Sequence, residues 1–286
     1  NVTPEHLDYH KTYENYVKTK AKLLQMAKTA VVNKDDNSFG PITNCQLPIT
    51  NKLVTYGLKK SADVTPKNFP FKTNLLGEFN RYNCLAAIAT CKSLGIADAV
   101  IRKALTTFTP PTGRAEVVYE NSFIVMIDFA HTPNALEQIL SSVRPIVRGR
   151  LIHVFGSAGK RDFTKRPKMG RVSSGYADVV VLTAEDSRGE LVEKIMNEIE
   201  AGIKFRFARR HEAGKKVQVY KIADRQEAIT TAIKMARSGD LILITGKGHE
   251  KSMNLGHGEE PWSEHEAVKK ALRLRFHSDE SSERAG

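Results

Sequence analysis

The feature that most constrains the fold of this chain is a regular alternation of short apolar segments and longer helical patterns in its second half. Strands are predicted at 123–128, 150–155, 178–183, 217–222 and 240–245. Helices are predicted at 133–144, 166–175, 190–202, 224–237 and 264–275. Because apolar strands separated by helices form parallel sheets covered on both faces, this half is predicted to be a Rossmann-like, doubly wound α/β domain.

The first half of the chain has a less regular pattern. Apolar residues at helical spacing predict helices at 13–29, 83–94 and 97–107. The two adjacent prolines of FTPPTGR then end the pattern, since they cannot continue a helix. We therefore predict two domains, at 1–110 and 111–276. A disordered tail is predicted at 277–286, which carries no apolar anchor.

Composition limits the classes of function. The formal net charge is +12, but lysines and arginines are scattered along the chain, so a basic site for anionic small ligands is favoured over nucleic-acid binding. Cys45, Cys84 and Cys91 lack the paired spacing of a zinc site. No apolar run approaches the roughly 20 residues that cross a bilayer. We expect a soluble, cytoplasmic monomer that binds neither nucleic acid nor membrane.

Polar or charged residues follow four of the predicted strands. They are Asp128 and His131 after the first strand, and the segments 156–162 (GSAGKRD), 183–190 (TAEDSRGE) and 246–250 (GKGHE) after three others. Each segment by itself is also compatible with a solvated turn. Because ligands of open parallel sheets bind beyond the carboxyl ends of the strands, four such segments at one edge indicate a site for a charged, zwitterionic ligand.

Seven motifs in order make the chain resemble the Mur ligase family. They are HLDYH with a lysine ten residues later, GEFNRYNCLAAIA, PPTGRAEVV, IDFAHTPNAL, VFGSAGKRDFTKRPKMG, VVLTAEDSR and TGKGHE. The resemblance implies the latter part of the family's P-loop-type central ATPase domain, followed by its Rossmann-like C-terminal domain. The sequence begins at Asn1 and lacks the phosphate loop GxxxxGK followed by Ser or Thr. We therefore expect a fragment without the N-terminal domain and the phosphate-binding loop, inactive as a ligase by itself.

The resemblance also implies roles for individual residues, with ATP and Mg²⁺ as cofactors. His6 is similar to a metal ligand of the family, and Lys20 to a carbamylated lysine that serves both the metal and catalysis. His131 is expected to face the reaction. The residues expected to contact the nucleotide are Asn83, Arg114 and Asp128. Those expected to contact the incoming amino acid are Arg161, Glu185, Asp186, Arg188, Gly246 and Glu250.

Within the family, the motifs are most similar to the branch that joins a diamino acid to UDP-N-acetylmuramoyl-L-alanyl-D-glutamate in peptidoglycan precursor synthesis. The reaction that this implies uses ATP and passes through an acyl phosphate. Two loops depart from that branch, since AEDSR replaces DNPR and SAGKRD replaces GGDRD. Because Arg188 is kept, meso-diaminopimelate is favoured, and lysine stays open because the Asn and Pro of the pattern are replaced.

Three alternatives stay open from the sequence. A folylpolyglutamate or cyanophycin synthetase shares the nucleotide-binding elements, and a non-catalytic nucleotide-binding module shares the fold. A nucleic-acid binder is suggested by net charge alone. The combination of GKGHE with AEDSR favours the peptidoglycan branch over the other ligases.

Overall fold

The computed structural model describes residues 2–3, 7–44, 52–204 and 216–283. By its internal contacts, the chain divides into two compact units, Asn1–Thr109 and Pro110–Gly286. None of the described helices is long and apolar enough to cross a bilayer.

Helices and one pair of strands make up the described part of the first unit. The helices are α1 (Leu7–His10), α2 (Tyr13–Met26), α3 (Phe39–Thr43), α4 (Glu78–Ser93) and α5 (Asp98–Thr107). The strands β1 (Thr29–Asn33) and β2 (Lys52–Tyr56) pair in parallel. The three helices predicted for this half are present, and α4 begins at Glu78 rather than at residue 83.

The core of the first unit lies between α4 and the strand pair. Leu85, Ile88 and Ala89 are completely buried at helical spacing on one face of α4. They belong to the same apolar cluster as Val54 and Tyr56 of β2. The small side chains of α4 therefore allow this helix to pack closely against the strands.

The second unit is built on a six-stranded mixed sheet. Its strands are β3 (Glu116–Glu120), β4 (Ile124–Asp128), β5 (Leu151–Phe155), β6 (Val179–Leu182), β7 (Gln218–Lys221) and β8 (Leu241–Thr245). Their order is β3-β4-β8-β5-β6-β7, with β3 antiparallel to β4 and all other pairs parallel. A separate antiparallel hairpin consists of β9 (Ser252–Asn254) and β10 (Glu259–Pro261).

The five strands predicted for this half are confirmed, as is their parallel arrangement between helices. Neither β3 nor the hairpin is predicted from the sequence. β3 is an edge strand without a buried residue, so it lacks the continuous apolar run that marks the central strands.

Helices on both sides of the sheet complete the described part of the second unit. They are α6 (Pro133–Val143), α7 (Lys165–Tyr176), α8 (Val192–Lys204), α9 (Arg225–Met235) and α10 (Glu264–Glu283), and a 3₁₀ turn at Arg144–Ile146 follows α6. Thr132 caps α6 by accepting the N–H of Ala135, with Pro133 at the first helical position. Asp224 caps α9 in the same way by accepting the N–H of Glu227. Both caps lie only a few residues beyond the end of a strand.

The central strands of the sheet are buried on both faces. Every residue of β5, β6 and β8 is buried. The helices α7 and α8 approach closely at Gly170 and Gly202, where a side chain would collide with the carbonyl oxygens of Ile199 and Pro167. This close packing holds the strand ends in position, and with them the starts of the loops that follow.

The C-terminal helix corrects one prediction. Disorder is predicted from residue 277, but α10 continues to Glu283. Residues 277–283, HSDESSE, contain no proline or glycine that would end the helix. Each of them also adds a backbone hydrogen bond to a helix that is already formed. Residues 284–286 lie outside the described residues.

Candidate functional site

The loops that follow β4, β8, β5 and β6 meet at the carboxyl edge of the second unit's sheet. These four strands are neighbours in that order, so their ends lie side by side. The N–H of Gly159 donates to the carbonyl of Asp186 at 2.7 Å, and Nζ of Lys165 donates to the carbonyl of His131 at 2.9 Å. The edge brings together eight predicted site residues: Arg114, Asp128, His131, Glu185, Asp186, Arg188, Gly246 and Glu250.

Asp128 ends β4 and is 9% exposed. Its Oδ2 accepts the N–H of Ala115 and its Oδ1 accepts the N–H of Ala130, both at 2.7 Å. Burial raises the pKa of this carboxyl, although the two N–H groups and the charges of Arg114 and His131 oppose the rise. Each oxygen keeps a second lone pair, so Asp128 can also accept a hydrogen bond from a ligand hydroxyl.

A guanidinium and two imidazoles pack around the ring of Phe129. The guanidinium carbon of Arg114 lies 4.5 Å from the ring centroid, and the ring centroids of His131 and His249 lie 4.7 Å and 5.0 Å away. Nδ1 of His131 is 2.9 Å from the carbonyl oxygen of Phe129. Since a carbonyl only accepts, Nδ1 carries a proton, and in the neutral ring Nε2 is the acceptor. The cluster therefore offers a fixed guanidinium to an anionic ligand beside an imidazole.

Two acids and two bases form a charged quartet, defined as Asp186, Arg188, Lys247 and Glu250. Nζ of Lys247 lies 2.8 Å from Oδ1 of Asp186 and 2.6 Å from Oε2 of Glu250. Burial alone raises the pKa of Asp186, but hydrogen bonds from Lys247 and from the N–H of Asn254 outweigh it and hold the pKa below its usual value. The quartet is formally neutral, so it can bind a zwitterion without leaving unpaired charge.

Glu185 lies beside the quartet and is more deeply buried than Asp186. It is 6% exposed, and its Oε2 has no hydrogen-bond partner in the part of the chain that the structure describes. Burial raises the pKa of this carboxyl, opposed by the charges of Lys165, Arg225 and His131. Gly246 has φ 112°, and a side chain at that position would collide with Oε2 of Glu185. The positive φ favours glycine at this position, because residues with side chains rarely adopt it.

A completely buried ion pair lies behind these loops. Arg225 at the start of α9 pairs through Nε and Nη2 with Glu264 at the start of α10, and neither side chain is exposed. Nη1 of Arg225 also donates to the carbonyl of Ala184 at 2.9 Å, and Nη2 donates to that of Thr245 at 2.8 Å. Because Ala184 is the second residue after β6 and Thr245 is the last residue of β8, Arg225 fixes the start of both loops.

A second buried arginine joins the β5 and β6 loops. Arg166, 1% exposed, pairs with Glu190 at 2.8 Å and with Glu198 at 2.7 Å, and it donates to the carbonyl of Ala158 at 3.1 Å. Glu190 also accepts the N–H of Lys160 at 3.1 Å. The loop that carries Arg188 is thus attached to the neighbouring loop by charge-assisted hydrogen bonds.

The sequence analysis assigned no role to Lys247, Arg166 or Arg225. Charged residues are ordinarily exposed, so a lysine or arginine in a sequence is not expected to be buried. Asp186, one of the two partners of Lys247, lies 61 positions away along the chain, and Glu264, the partner of Arg225, lies 39 positions away. Sequence signals exist for Lys247, which belongs to the GKGHE segment, and for Arg166, which belongs to the motif VFGSAGKRDFTKRPKMG.

The other predicted site residues are not part of this cluster. Arg161 is exposed after β5 and has no hydrogen bond or ion pair within the described ranges. In the first unit, Lys20 is exposed with Nζ 5.5 Å from the ring centroid of Tyr16, and Asn83 is exposed on α4. His6 lies outside the described residues. Among the residues that are described, no three His, Cys, Asp or Glu side chains form a group that could hold a metal ion.

Two domain models of one family match the sequence. The Mur ligase middle domain matches residues 1–91, and the Mur ligase, glutamate ligase domain matches residues 113–248. A relative from Aquifex aeolicus (strain VF5), UDP-N-acetylmuramoyl-L-alanyl-D-glutamate–2,6-diaminopimelate ligase, is 38% identical over 95% of this chain and 57% of its own length. The chain spans less than two thirds of the length of the curated relatives it matches.

Two solved structures are similar to the chain. One is a UDP-N-acetylmuramoyl-L-alanyl-D-glutamate–2,6-diaminopimelate ligase, with a TM-score of 0.55 and 29% identity over 96% of this chain and 59% of the other. The second is Mycobacterium tuberculosis folylpolyglutamate synthase complexed with ADP and AMPPCP, with a TM-score of 0.64 and 15% identity over 96% and 62%. At that identity the second likeness shows the fold alone.

Proposed function

Because this chain belongs to the Mur ligase family, we propose that it forms the nucleotide-binding and amino-acid-binding portions of an ATP-dependent ligase of peptidoglycan precursor synthesis. The proposed reaction joins a diamino acid to UDP-N-acetylmuramoyl-L-alanyl-D-glutamate, with meso-diaminopimelate as the favoured amino acid. The relatives named for this activity support the choice of substrates.

The observation that carries this proposal is the charged quartet at the carboxyl edge of the sheet. Arg188 is 31% exposed and presents a planar set of donors suited to a carboxylate. Glu250 is 39% exposed and can accept hydrogen bonds from an ammonium group. A diamino acid with a distal carboxylate carries both groups. An acidic and a basic side chain at one rim therefore fit such a substrate.

Arg114 and Asp128 fit the nucleotide. Arg114 is held against Phe129 and supplies a guanidinium for phosphate oxygens. Asp128 has both oxygens oriented by backbone N–H groups and keeps acceptor capacity for ribose hydroxyls. Bound ATP would supply the phosphoryl group that turns the unreactive glutamyl carboxylate into an acyl phosphate.

The residues of this chain would act by orientation and charge neutralisation. Arg188 and Glu250 would fix the incoming amino acid so that its free amine approaches the activated carbonyl, an arrangement that lowers the entropic cost of the attack. His131 would lie next to the nucleotide-binding residues and accept a hydrogen bond at Nε2. No covalent enzyme intermediate is required.

Magnesium is included in the proposal on the strength of the family resemblance of His6 and Lys20. A carbamylated Lys20 would offer carboxylate oxygens, which suit a hard cation. His6 lies outside the described residues, so no step of the reaction is derived through the metal.

A ligase assay on a chimera tests the proposed function. The portion of the Aquifex aeolicus relative that lies outside the match would be joined to the N-terminus of this chain, because the family resemblance implies a phosphate loop there. Phosphate release would be measured with UDP-N-acetylmuramoyl-L-alanyl-D-glutamate and, in separate reactions, meso-diaminopimelate, L-lysine and L-glutamate. We expect release that depends on a diamino acid and is greatest with meso-diaminopimelate.

A matched variant controls for background activity. Glu250→Gln keeps the shape of the side chain but removes its charge, and we expect kcat/KM for the amino acid to fall by about tenfold to a hundredfold, as for a lost charged hydrogen bond. Release that depends on L-glutamate would instead favour a folylpolyglutamate-type ligase. Release that needs no amino acid would contradict the proposed reaction.

A further inference from the structure

Lys247 is the most deeply buried member of the charged quartet. Its side chain is 2% exposed, and its Nζ bridges Asp186 and Glu250. Burial alone lowers the pKa of a lysine, but these two acidic partners raise the pKa of Lys247 above its usual value. Lys247 therefore stays charged where it neutralises both carboxylates.

Asp186 accepts a hydrogen bond from Lys247 but none from Arg188. Its Oδ1 accepts both Nζ of Lys247 at 2.8 Å and the N–H of Asn254 at 3.1 Å. Its Oδ2 lies 3.6 Å from Nη2 of Arg188, beyond a good hydrogen bond. The backbone strengthens this arrangement, because the N–H of Arg188 donates to the carbonyl of Asn254 at 2.9 Å.

The N–H groups of the Arg188 guanidinium are consequently available to a ligand. In the part of the chain that the structure describes, its guanidinium has no hydrogen-bond acceptor, and Asp186 is its only ion-pair partner. Without Lys247, Asp186 would lie next to the one remaining cation of the quartet. Its carboxylate would then compete with any ligand carboxylate for Arg188.

This arrangement explains a departure in the sequence. Asp186 stands where the DNPR pattern has a neutral Asn, and a carboxylate there would ordinarily repel an anionic ligand group. Bonding to Lys247 and to the N–H of Asn254 compensates the charge of Asp186 without using Arg188.

We propose that Lys247 determines the specificity of the amino-acid site. By binding Asp186, Lys247 leaves Arg188 available to an anionic distal group of the ligand. The site therefore selects an amino acid with a distal carboxylate over one that has only a distal ammonium group. The ligand in this inference rests on the proposed function. Lys247 acts through Asp186 and Arg188, so it is a positioning residue.

Two amino acids form a matched pair of probes for this inference. Meso-diaminopimelate and L-lysine differ by one carboxylate on the distal carbon, and that group is the one proposed to contact Arg188. The ratio of their affinities for the 286-residue chain therefore isolates the distal contact. Isothermal titration calorimetry would measure both affinities for the wild-type chain and for each variant, with a thermal melt to check that each variant is folded.

A double-mutant cycle separates selectivity from general damage. Lys247→Met removes the charge, and we expect the preference for meso-diaminopimelate over L-lysine to fall by about tenfold or more, the scale of one charged hydrogen bond. Asp186→Asn is expected to keep or increase the preference. The double variant Lys247→Met, Asp186→Asn is expected to recover the preference to within about threefold of wild type, because no carboxylate then competes for Arg188.

Each outcome has a distinct meaning. If the wild-type chain prefers meso-diaminopimelate but Lys247→Met keeps the same ratio, or the double variant does not recover it, the role of Lys247 is overturned and the proposed function stands. If the wild-type chain binds neither amino acid, the amino-acid site itself is contradicted. Lys247→Gln serves as the second neutral variant if Lys247→Met is unfolded at the assay temperature, and Lys247→Arg, which keeps the charge, should retain the preference.

Discussion

Adjacent residues in the site differ sharply in their environments. Glu185 and Asp186 are neighbours in sequence, but burial raises the pKa of Glu185, whereas Lys247 and the N–H of Asn254 hold the pKa of Asp186 below its usual value. The difference arises because the hydrogen bonds to Asp186 favour its ionised form, while Oε2 of Glu185 is buried without a partner in the described ranges. Asp186 can therefore serve as a fixed negative charge, whereas the protonation equilibrium of Glu185 is shifted towards the neutral form.

His153 provides a pH test at the scale of one residue. It is completely buried in β5 between Oγ of Ser173 at 2.7 Å and Oγ1 of Thr245 at 3.0 Å. Burial, assisted by the charge of Arg225, lowers its pKa from 6.5 to about 3. The folded state thus binds this proton less readily than the unfolded state does, so stability is full above pH 6.5 and is lost as the pH falls towards about 3.

As the pH falls from 6.5 towards about 3, protonation of His153 is expected to lower the free energy of unfolding by up to about 1.4 kcal/mol per pH unit. Nuclear magnetic resonance of the imidazole checks the cause directly, since His153 should stay neutral from pH 8 to pH 5. A titration of the His153 signals with a midpoint near the usual value of 6.5 would contradict the buried, neutral state.

At the scale of elements, helix starts position the loops of the site. The start of α9 supplies Arg225 and the start of α10 supplies Glu264. Arg225 then donates to the carbonyl of Ala184, just after β6, and to the carbonyl of Thr245 at the end of β8. Two helices and two strands are therefore joined by one guanidinium, and the loops that carry the charged quartet begin from fixed points.

Arg225→Met tests this junction. Removing the guanidinium leaves Glu264 charged and buried, together with two carbonyls that lose a donor, so we expect the free energy of unfolding to fall by about 3–5 kcal/mol. Urea unfolding followed by circular dichroism would measure it. The matched control is Arg225→Met with Glu264→Gln, which removes the buried charge as well and should recover part of the loss. Equal stability of Arg225→Met and wild type would show that the pair has no role in holding these elements.

At the scale of the whole molecule, the sequence predicted the features that follow from apolar patterning. The segment DLILIT at 240–245 predicts a buried strand, and β8 occupies Leu241–Thr245. The half-exposed edge strand β3 gave no comparable signal, because its residues are not continuously apolar or buried. The loops at the strand ends were predictable because carboxyl ends of parallel strands share an edge.

The buried cations of the site could not be predicted in the same way. Arg166, Arg225 and Lys247 are each within 1% of complete burial, yet a charged residue in a sequence indicates an exposed position. Each of them has an acidic partner that is distant in sequence and that the fold brings close: Glu190 for Arg166, Glu264 for Arg225 and Asp186 for Lys247. The sequence therefore indicates the sheet edge where the candidate site lies, but it does not identify the buried side chains that hold the loops of that site in place.

A crystal structure of the chain with meso-diaminopimelate would show directly whether the charged quartet binds the amino acid. We expect one carboxylate of the ligand within hydrogen-bonding distance of the guanidinium of Arg188, and an ammonium group of the ligand against Glu250. Asp186 should remain bonded to Lys247 in that complex. Density for the amino acid bound elsewhere on the chain, with Arg188 and Glu250 both out of contact, would contradict the proposed site.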